Sequence, residues 1–159
     1  MRKITKEACE VFKAEVNAEL CTTKKQRFDY NFEKEGTFDV VYSKDNTKVI
    51  NEWRGRFKIV CLKLHGNTIA HHKQNMFASE RSCIKFYINL CGWGTPTTRE
   101  RLNGLLETLG FDFSVKQKKG EQIACGRKYG SNINRSYRLD EDGNQDVFFI
   151  NEIITGRNI

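Results

Sequence analysis

The sequence has a single proline, Pro96, no C-x-x-C pair among its six cysteines, and no low-complexity linker. It also lacks any apolar run approaching the ~18 residues of a membrane-spanning helix. Each absence excludes something. With no linker and no repeat of fixed period, the 159 residues read as one compact domain, 1–159, long enough to bury a core. With no long apolar run, membrane insertion is not expected. The opening Met1-Arg2-Lys3-Ile4-Thr5-Lys6-Glu7 has no apolar stretch behind it, so no export signal is expected either. In a reducing compartment, the cysteines at 9, 21, 61, 83, 91 and 125 serve as small apolar residues.

Recognisable catalytic and metal motifs are missing as well. His71-His72 has no cysteine at zinc-finger spacing, so neither metal nor cofactor is expected. There is no G-x-x-x-x-G-K, no H-E-x-x-H and no paired-carboxylate pattern. His65 and Cys91 are a base and a nucleophile that no local signature joins, which leaves an enzyme as the third-ranked reading and no catalytic residue to name.

What the chain does have is positive charge and aromatic rings. Lys and Arg number 27 against 20 Asp and Glu, a net charge of +7, and 11 Phe, 5 Tyr and 2 Trp are spread along the chain. The rings keep a sequence that is 38% apolar and 30% charged within the folding range.

Periodicity predicts a helix over 5–20, with Ala8, Val11, Phe12, Val16 and Leu20 at helical spacing and Thr5 as its N-cap. Cys21 to Gln26 reads as a polar connection. Period-two patterns then predict strands over 37–42, 47–53, 56–64 and 68–72, separated by turns at Lys44-Asp45-Asn46, Arg54-Gly55 and His65-Gly66-Asn67. Lys73 to Ser82 reads as a polar loop, and Cys83 to Leu90 as a strand. Leu102, Leu105, Leu106 and Leu109 define a second helix over 98–109, stopped by Gly110. Short strands follow at 111–115 and 122–125. Strands at 136–139 and 147–150 flank Asp142-Gly143, a hairpin signal, and the tail 151–159 is expected to be loosely held. Asp140, Asp142, Asn144 and Asp146 alternate like a calcium loop, but the glycine stands at the wrong position and the turn reading prevails. Short turns between consecutive strands imply antiparallel pairing. The fold class is therefore α+β, with an N-terminal helix and the 98–109 helix packed on an antiparallel sheet.

The second helix carries the most specific local signal. Thr97 and Glu100 have the spacing of a capping box. Arg99 and Arg101 then occupy a first turn whose dipole favours acids. A bound anion would relieve that mismatch, with the Thr98 hydroxyl, both guanidinium groups and free backbone N–H groups as donors, and Trp93 positioned to stack on a base. The same residues also have a purely structural reading, with solvated arginines and Trp93 closing the sheet against the helix. A second basic region follows. Lys116, Lys118, Lys119, Arg127, Lys128, Arg135 and Arg138 stand against one acid, Glu121, with Tyr129 and Tyr137 between them. That is the composition of a nucleic-acid surface and equally of an exposed hairpin, and the acids of 140–152 could pair with it.

Two blocks, Leu64-His65-Gly66-Asn67-Thr68-Ile69-Ala70 and Gly92-Trp93-Gly94-Thr95-Pro96-Thr97-Thr98-Arg99-Glu100-Arg101-Leu102-Asn103, carry a family resemblance. The chain resembles small accessory proteins of tailed bacteriophages that share L-H-G-N-x-I-A and, after a variable loop, G-W-x-T-x-T-T-x-x-R-L-N. The resemblance implies a phage origin and action in the host bacterial cytoplasm. It brings no activity with it. Two functions are therefore weighed. One is binding of DNA, RNA or another phosphate-bearing ligand through Trp93, Thr98, Arg99, Arg101, Lys116, Lys118, Lys119, Arg127 and Lys128. The other is a protein-binding host-takeover or anti-defence factor that inhibits a bacterial protein without catalysis.

Overall fold

The computed structural model describes residues 1–17, 36–76, 85–127, 134–138 and 147–150. In chain order the elements are α1 (Lys3–Val16), β1 (Phe38–Lys44), β2 (Thr47–Arg54), β3 (Phe57–Leu64), β4 (Asn67–Asn75), β5 (Lys85–Ile88), α2 (Pro96–Thr108), β6 (Phe113–Lys118), β7 (Glu121–Arg127), β8 (Asn134–Arg138) and β9 (Val147–Ile150). The strands form a six-stranded sheet, β1-β2-β3-β4-β5-β9, and a three-stranded sheet, β6-β7-β8. Every pairing is antiparallel, so the α+β class holds.

The first four strands are a meander joined by tight turns. The His65-Gly66 turn places both residues in the left-handed region, with φ of 51° and 81°. Two consecutive left-handed residues match the twist of the strands they connect, and glycine adopts that region without penalty. A bulge after Leu62 shifts the register of β4, and both Ile69 and Ala70 are buried there.

The core lies between the large sheet and the two helices. Phe12 of α1 meets Phe86 of β5 edge-on at 6.3 Å, and Phe86 stacks on Phe111 at 5.2 Å. Leu102, Leu105 and Leu106 of α2 are fully buried in the same cluster, as the leucine stripe predicts. The helices cross closely at Gly104, where a Cβ would stand 2.5 Å from the Thr5 methyl carbon.

Polar side chains fix both ends of α1. At its C-terminus, buried Lys58 donates to the Glu15 carbonyl (3.0 Å) and carboxylate (2.9 Å), a cation placed where the helix dipole favours one. Asn51 donates to the same carboxylate at 2.8 Å. At its N-terminus, Glu100 of α2 accepts from the Arg2 backbone N–H (3.0 Å) and the Thr5 hydroxyl (2.6 Å). Arg101 completes this cluster, donating to Thr47 Oγ1 at 3.2 Å, to Thr5 Oγ1 and to the Glu100 carboxylate.

Four expectations change. α1 begins at Lys3, so Thr5 lies buried inside the first turn and is not its cap; residues 18–20 of the expected helix lie outside the described residues. The capping-box assignment moves: Thr95 caps α2, and Glu100 faces α1. β4 continues through Lys73–Asn75, where a loop was expected, because those residues pair with β3 and Lys73 pairs with β5 as well. Finally, the strands flanking Asp142-Gly143 do not pair with one another. β8 joins β7 in the small sheet, and β9 joins β5 in the large one. The connection 21–26, the remainder of the expected 73–82 loop, the Asp142-Gly143 turn and the tail 151–159 lie outside the described residues.

Candidate nucleic-acid interface

The site forms where β5 hands the chain to α2. After Leu90 the chain reverses through Cys91 and Gly92, both left-handed at φ 53° and 77°, and the Trp93 N–H closes the turn on the Leu90 carbonyl at 2.8 Å. The turn is pinned from beneath. The Cys91 N–H donates to Asn89 Oδ1 at 2.6 Å, and the Cys91 thiol donates to the Thr68 carbonyl at 3.1 Å. The consequence is that Trp93 points outward and is 61% exposed. Trp93 therefore does not close the core, which was the structural reading of it.

Thr95 then starts the helix. Its hydroxyl accepts from the Thr98 N–H at 3.2 Å and lies 3.0 Å from the Thr98 hydroxyl, with Pro96 at the first helical position. Proline suits that position because its missing N–H would have had no partner there. Thr98 is thus buried and engaged in capping.

The two arginines have different roles. Arg101 is 5% exposed and held by the α1–α2 cluster, away from solvent. Arg99 is half-buried and donates to the Gly94 carbonyl (2.6 Å), Gln117 Oε1 (3.2 Å) and Gln122 Oε1 (3.3 Å). Gln117 and Gln122 are directly opposed in the β6–β7 hairpin. One guanidinium therefore ties the Trp93-Gly94 segment to that hairpin. All three of its acceptors are neutral, so its charge still adds to the local field.

The hairpin carries Lys116, Lys118 and Lys119, all exposed, with Lys119 left-handed in the turn and Glu121 opposite Lys118. Trp93, Thr98 and Arg99 thus gather around the start of α2, and Arg99 reaches the hairpin through Gln117 and Gln122. Lys116 and Lys118 alternate with Gln117 along β6 and stand on the hairpin's other face, with Lys119 in the turn. Arg127 lies farther along β7, its backbone opposite Asn134, and Lys128 lies outside the described residues.

A cavity of about 450 Å³ opens beside Trp93, lined by Leu64, His65, Asn67, Ile69, Leu90, Trp93, Thr95, Thr97 and Thr98. Leu64, His65, Asn67 and Ile69 were not among the expected site residues. The sign that could have found them is the pair of blocks in the sequence, which the fold brings together as opposite walls of one cavity.

Cys9 and Cys61 are buried, and burial first of all pushes both thiols up to about 12. Among the described residues, no group of His, Cys, Asp and Glu could hold a metal ion. No described helix is long and apolar enough to cross a membrane.

Residues 34–141 match the model of one protein family, described as the Kyanoviridae Gp96 protein. Neither the curated proteins nor the solved structures contain a match to the chain.

Proposed function

The chain belongs to the Kyanoviridae Gp96 family, a family of phage proteins, and from its geometry we propose that it binds single-stranded nucleic acid inside the infected cell, without catalysis. The observation that carries the reading is the Arg99 tether, which sets a 61%-exposed tryptophan next to a hairpin bearing three exposed lysines. Each half has a matching ligand chemistry. Lysines neutralise phosphates, and an exposed indole stacks on any unpaired base. A duplex hides the faces of its bases, so the pairing of indole and lysines favours a single strand. In this reading Arg99 positions the loop and contributes charge, while Thr98 and Arg101 hold the platform.

The test is titration of labelled single- and double-stranded DNA and RNA at ~50 mM salt. Binding that prefers single strands supports the reading. No measurable binding to any of the four overturns it.

A second reading has an observation of its own. Among the described residues β1 is an edge strand of the large sheet, and it exposes Phe38, Val40 and Val41, at 66%, 49% and 36%. Such a strand suits docking to a bacterial protein by edge pairing, as a host-takeover or anti-defence factor. Capture of a stoichiometric host partner that is lost on Val40→Lys would favour it, and a partner unaffected by that change would not.

A further inference from the structure

We propose that the cavity beside Trp93 is a docking pocket for one unstacked nucleobase, with the flanking phosphates left to the lysine hairpin. The proposal rests on the nucleic-acid reading above and names which part of the ligand goes where.

Three features point to a base. The first is size. About 450 Å³ falls within the ~300–1,000 Å³ range of small-ligand pockets and leaves room for a base with part of its sugar. The second is the charge of the lining. Leu64, Ile69 and Leu90 form an apolar floor that is almost wholly buried, the Trp93 indole forms a wall, and no lysine, arginine or carboxylate is present. A phosphate would be poorly served there, whereas a flat, uncharged heterocycle would bury its faces against the indole and the aliphatic floor. The third is the state of the rim. The Thr95 and Thr98 hydroxyls are occupied with each other and with the helix start. The side chains of His65, Asn67 and Thr97 make no hydrogen bond within the described residues, and they reach the cavity from both sides. An imidazole, an amide and a hydroxyl offer donors and acceptors to the polar edge of a base.

The arrangement also connects the two parts of the ligand. Trp93 lines the cavity, and the next residue, Gly94, lies against Gln122 of the hairpin. A strand whose base enters the cavity has its backbone leaving toward Arg99 and the hairpin, which carries Lys119 in its turn and Lys116 and Lys118 on its outer face.

The probes are an uncharged nucleoside, a single-stranded oligonucleotide, and the same oligonucleotide with abasic sites, each followed by tryptophan fluorescence. Trp53 is 8% exposed and Trp93 61%, so quenching by ligand reports mainly Trp93. The nucleoside is expected to quench at millimolar concentration, independently of salt. The abasic strand is expected to bind about tenfold more weakly than the normal one, on the order of the loss of one stacked base. Thr97→Phe, which fills the cavity, is expected to abolish nucleoside quenching and leave the salt dependence of oligonucleotide binding unchanged. His65→Gly, which suits the left-handed turn and removes the imidazole, serves as a second variant and is expected to weaken the nucleoside severalfold. If the oligonucleotide binds but the nucleoside does not quench and abasic sites make no difference, the pocket proposal is overturned while the surface reading stands. If the nucleoside quenches and no strand binds, the pocket stands and the surface reading falls.

Discussion

Glu100, in the first turn and a half of α2, accepts the backbone N–H of Arg2 at 3.0 Å and thereby caps α1 from a neighbouring helix. Its second oxygen accepts from Thr5 and Arg101, so one carboxylate joins both helices to the buried guanidinium. Replacing Glu100 with alanine removes the only carboxylate paired with Arg101 among the described residues. Leaving a buried cation without its partner is strongly destabilising, here on the order of 2 kcal/mol or more given that Glu100 is partly exposed. The melting temperature of Glu100→Ala should fall by roughly 4–8 °C, and that of Glu100→Gln by less, because glutamine still accepts a hydrogen bond. An unchanged melting temperature for the alanine variant would show that the cluster contributes nothing.

Acid should loosen the same contacts. Burial alone would raise the Glu100 carboxyl, but hydrogen bonds from Thr5, Arg2 and Arg101 and the Arg101 charge outweigh it and hold the pKa below the usual 4.5. Glu15 behaves alike, with burial outweighed by hydrogen bonds from Lys58 and Asn51 and by the Lys58 charge. A carboxyl depressed in the folded state stabilises fully above its unfolded pKa, and that contribution is lost as pH falls through the folded value. Urea midpoints should therefore hold near neutral pH and decline below the ordinary carboxyl value of 4.5. The decline should be shallower in Glu100→Gln and in Glu15→Gln. Identical pH profiles in all three proteins would contradict this.

Gly104 offers a test of the helix crossing. In an open helix, glycine to alanine is a gain of about 1 kcal/mol. Here the new Cβ would stand 2.5 Å from the Thr5 methyl carbon, and the change should cost about 1–3 kcal/mol instead. Adding Thr5→Ser removes that methyl but keeps the hydroxyl bonded to Glu100. The double variant should recover most of the lost stability, measured by urea unfolding. Additive losses would show that the two residues do not meet.

Thiol labelling should separate the cysteines by environment. Cys9 and Cys61 are buried with thiols pushed up to about 12, whereas Cys91 and Cys125 are half-buried. Iodoacetamide at mildly alkaline pH should modify Cys91 and Cys125 in the folded protein and reach Cys9 and Cys61 only in denaturant. Peptide mass spectrometry reads the order, and early labelling of Cys9 would contradict the packing of α1.

Much of the fold is legible in the sequence because its signals are local. Alternation and tight turns mark β2, β3 and β4, and the leucine stripe marks α2 together with the face it buries. The misreadings come from long-range choices. Asp142-Gly143 signals a hairpin, but a turn signal does not say which sheets the flanking strands join, and β8 and β9 enter different ones. Thr97 and Glu100 have capping-box spacing, yet Pro96 starts the helix two residues earlier and gives the cap to Thr95. Arg99 and Arg101 look alike on a helix surface. Only the crossing with α1 shows that one is an interior anchor and the other a tether to the lysine hairpin. The cavity was hidden for the same reason, since its lining comes from the β3–β4 turn and the start of β4 on the one hand and from residues 90–98, beyond β5, on the other.

The most direct test of nucleic-acid binding is the salt dependence of single-strand affinity in the wild type and in a Lys116→Ala, Lys118→Ala, Lys119→Ala variant, followed through Trp93 fluorescence. Each phosphate neutralised on a single strand contributes about 0.7 to the slope of log affinity against log salt. Removing three lysines should therefore lower the slope by about 2 while quenching by an uncharged nucleoside persists. A variant that binds with the wild-type slope would contradict the proposal that this hairpin holds the phosphates.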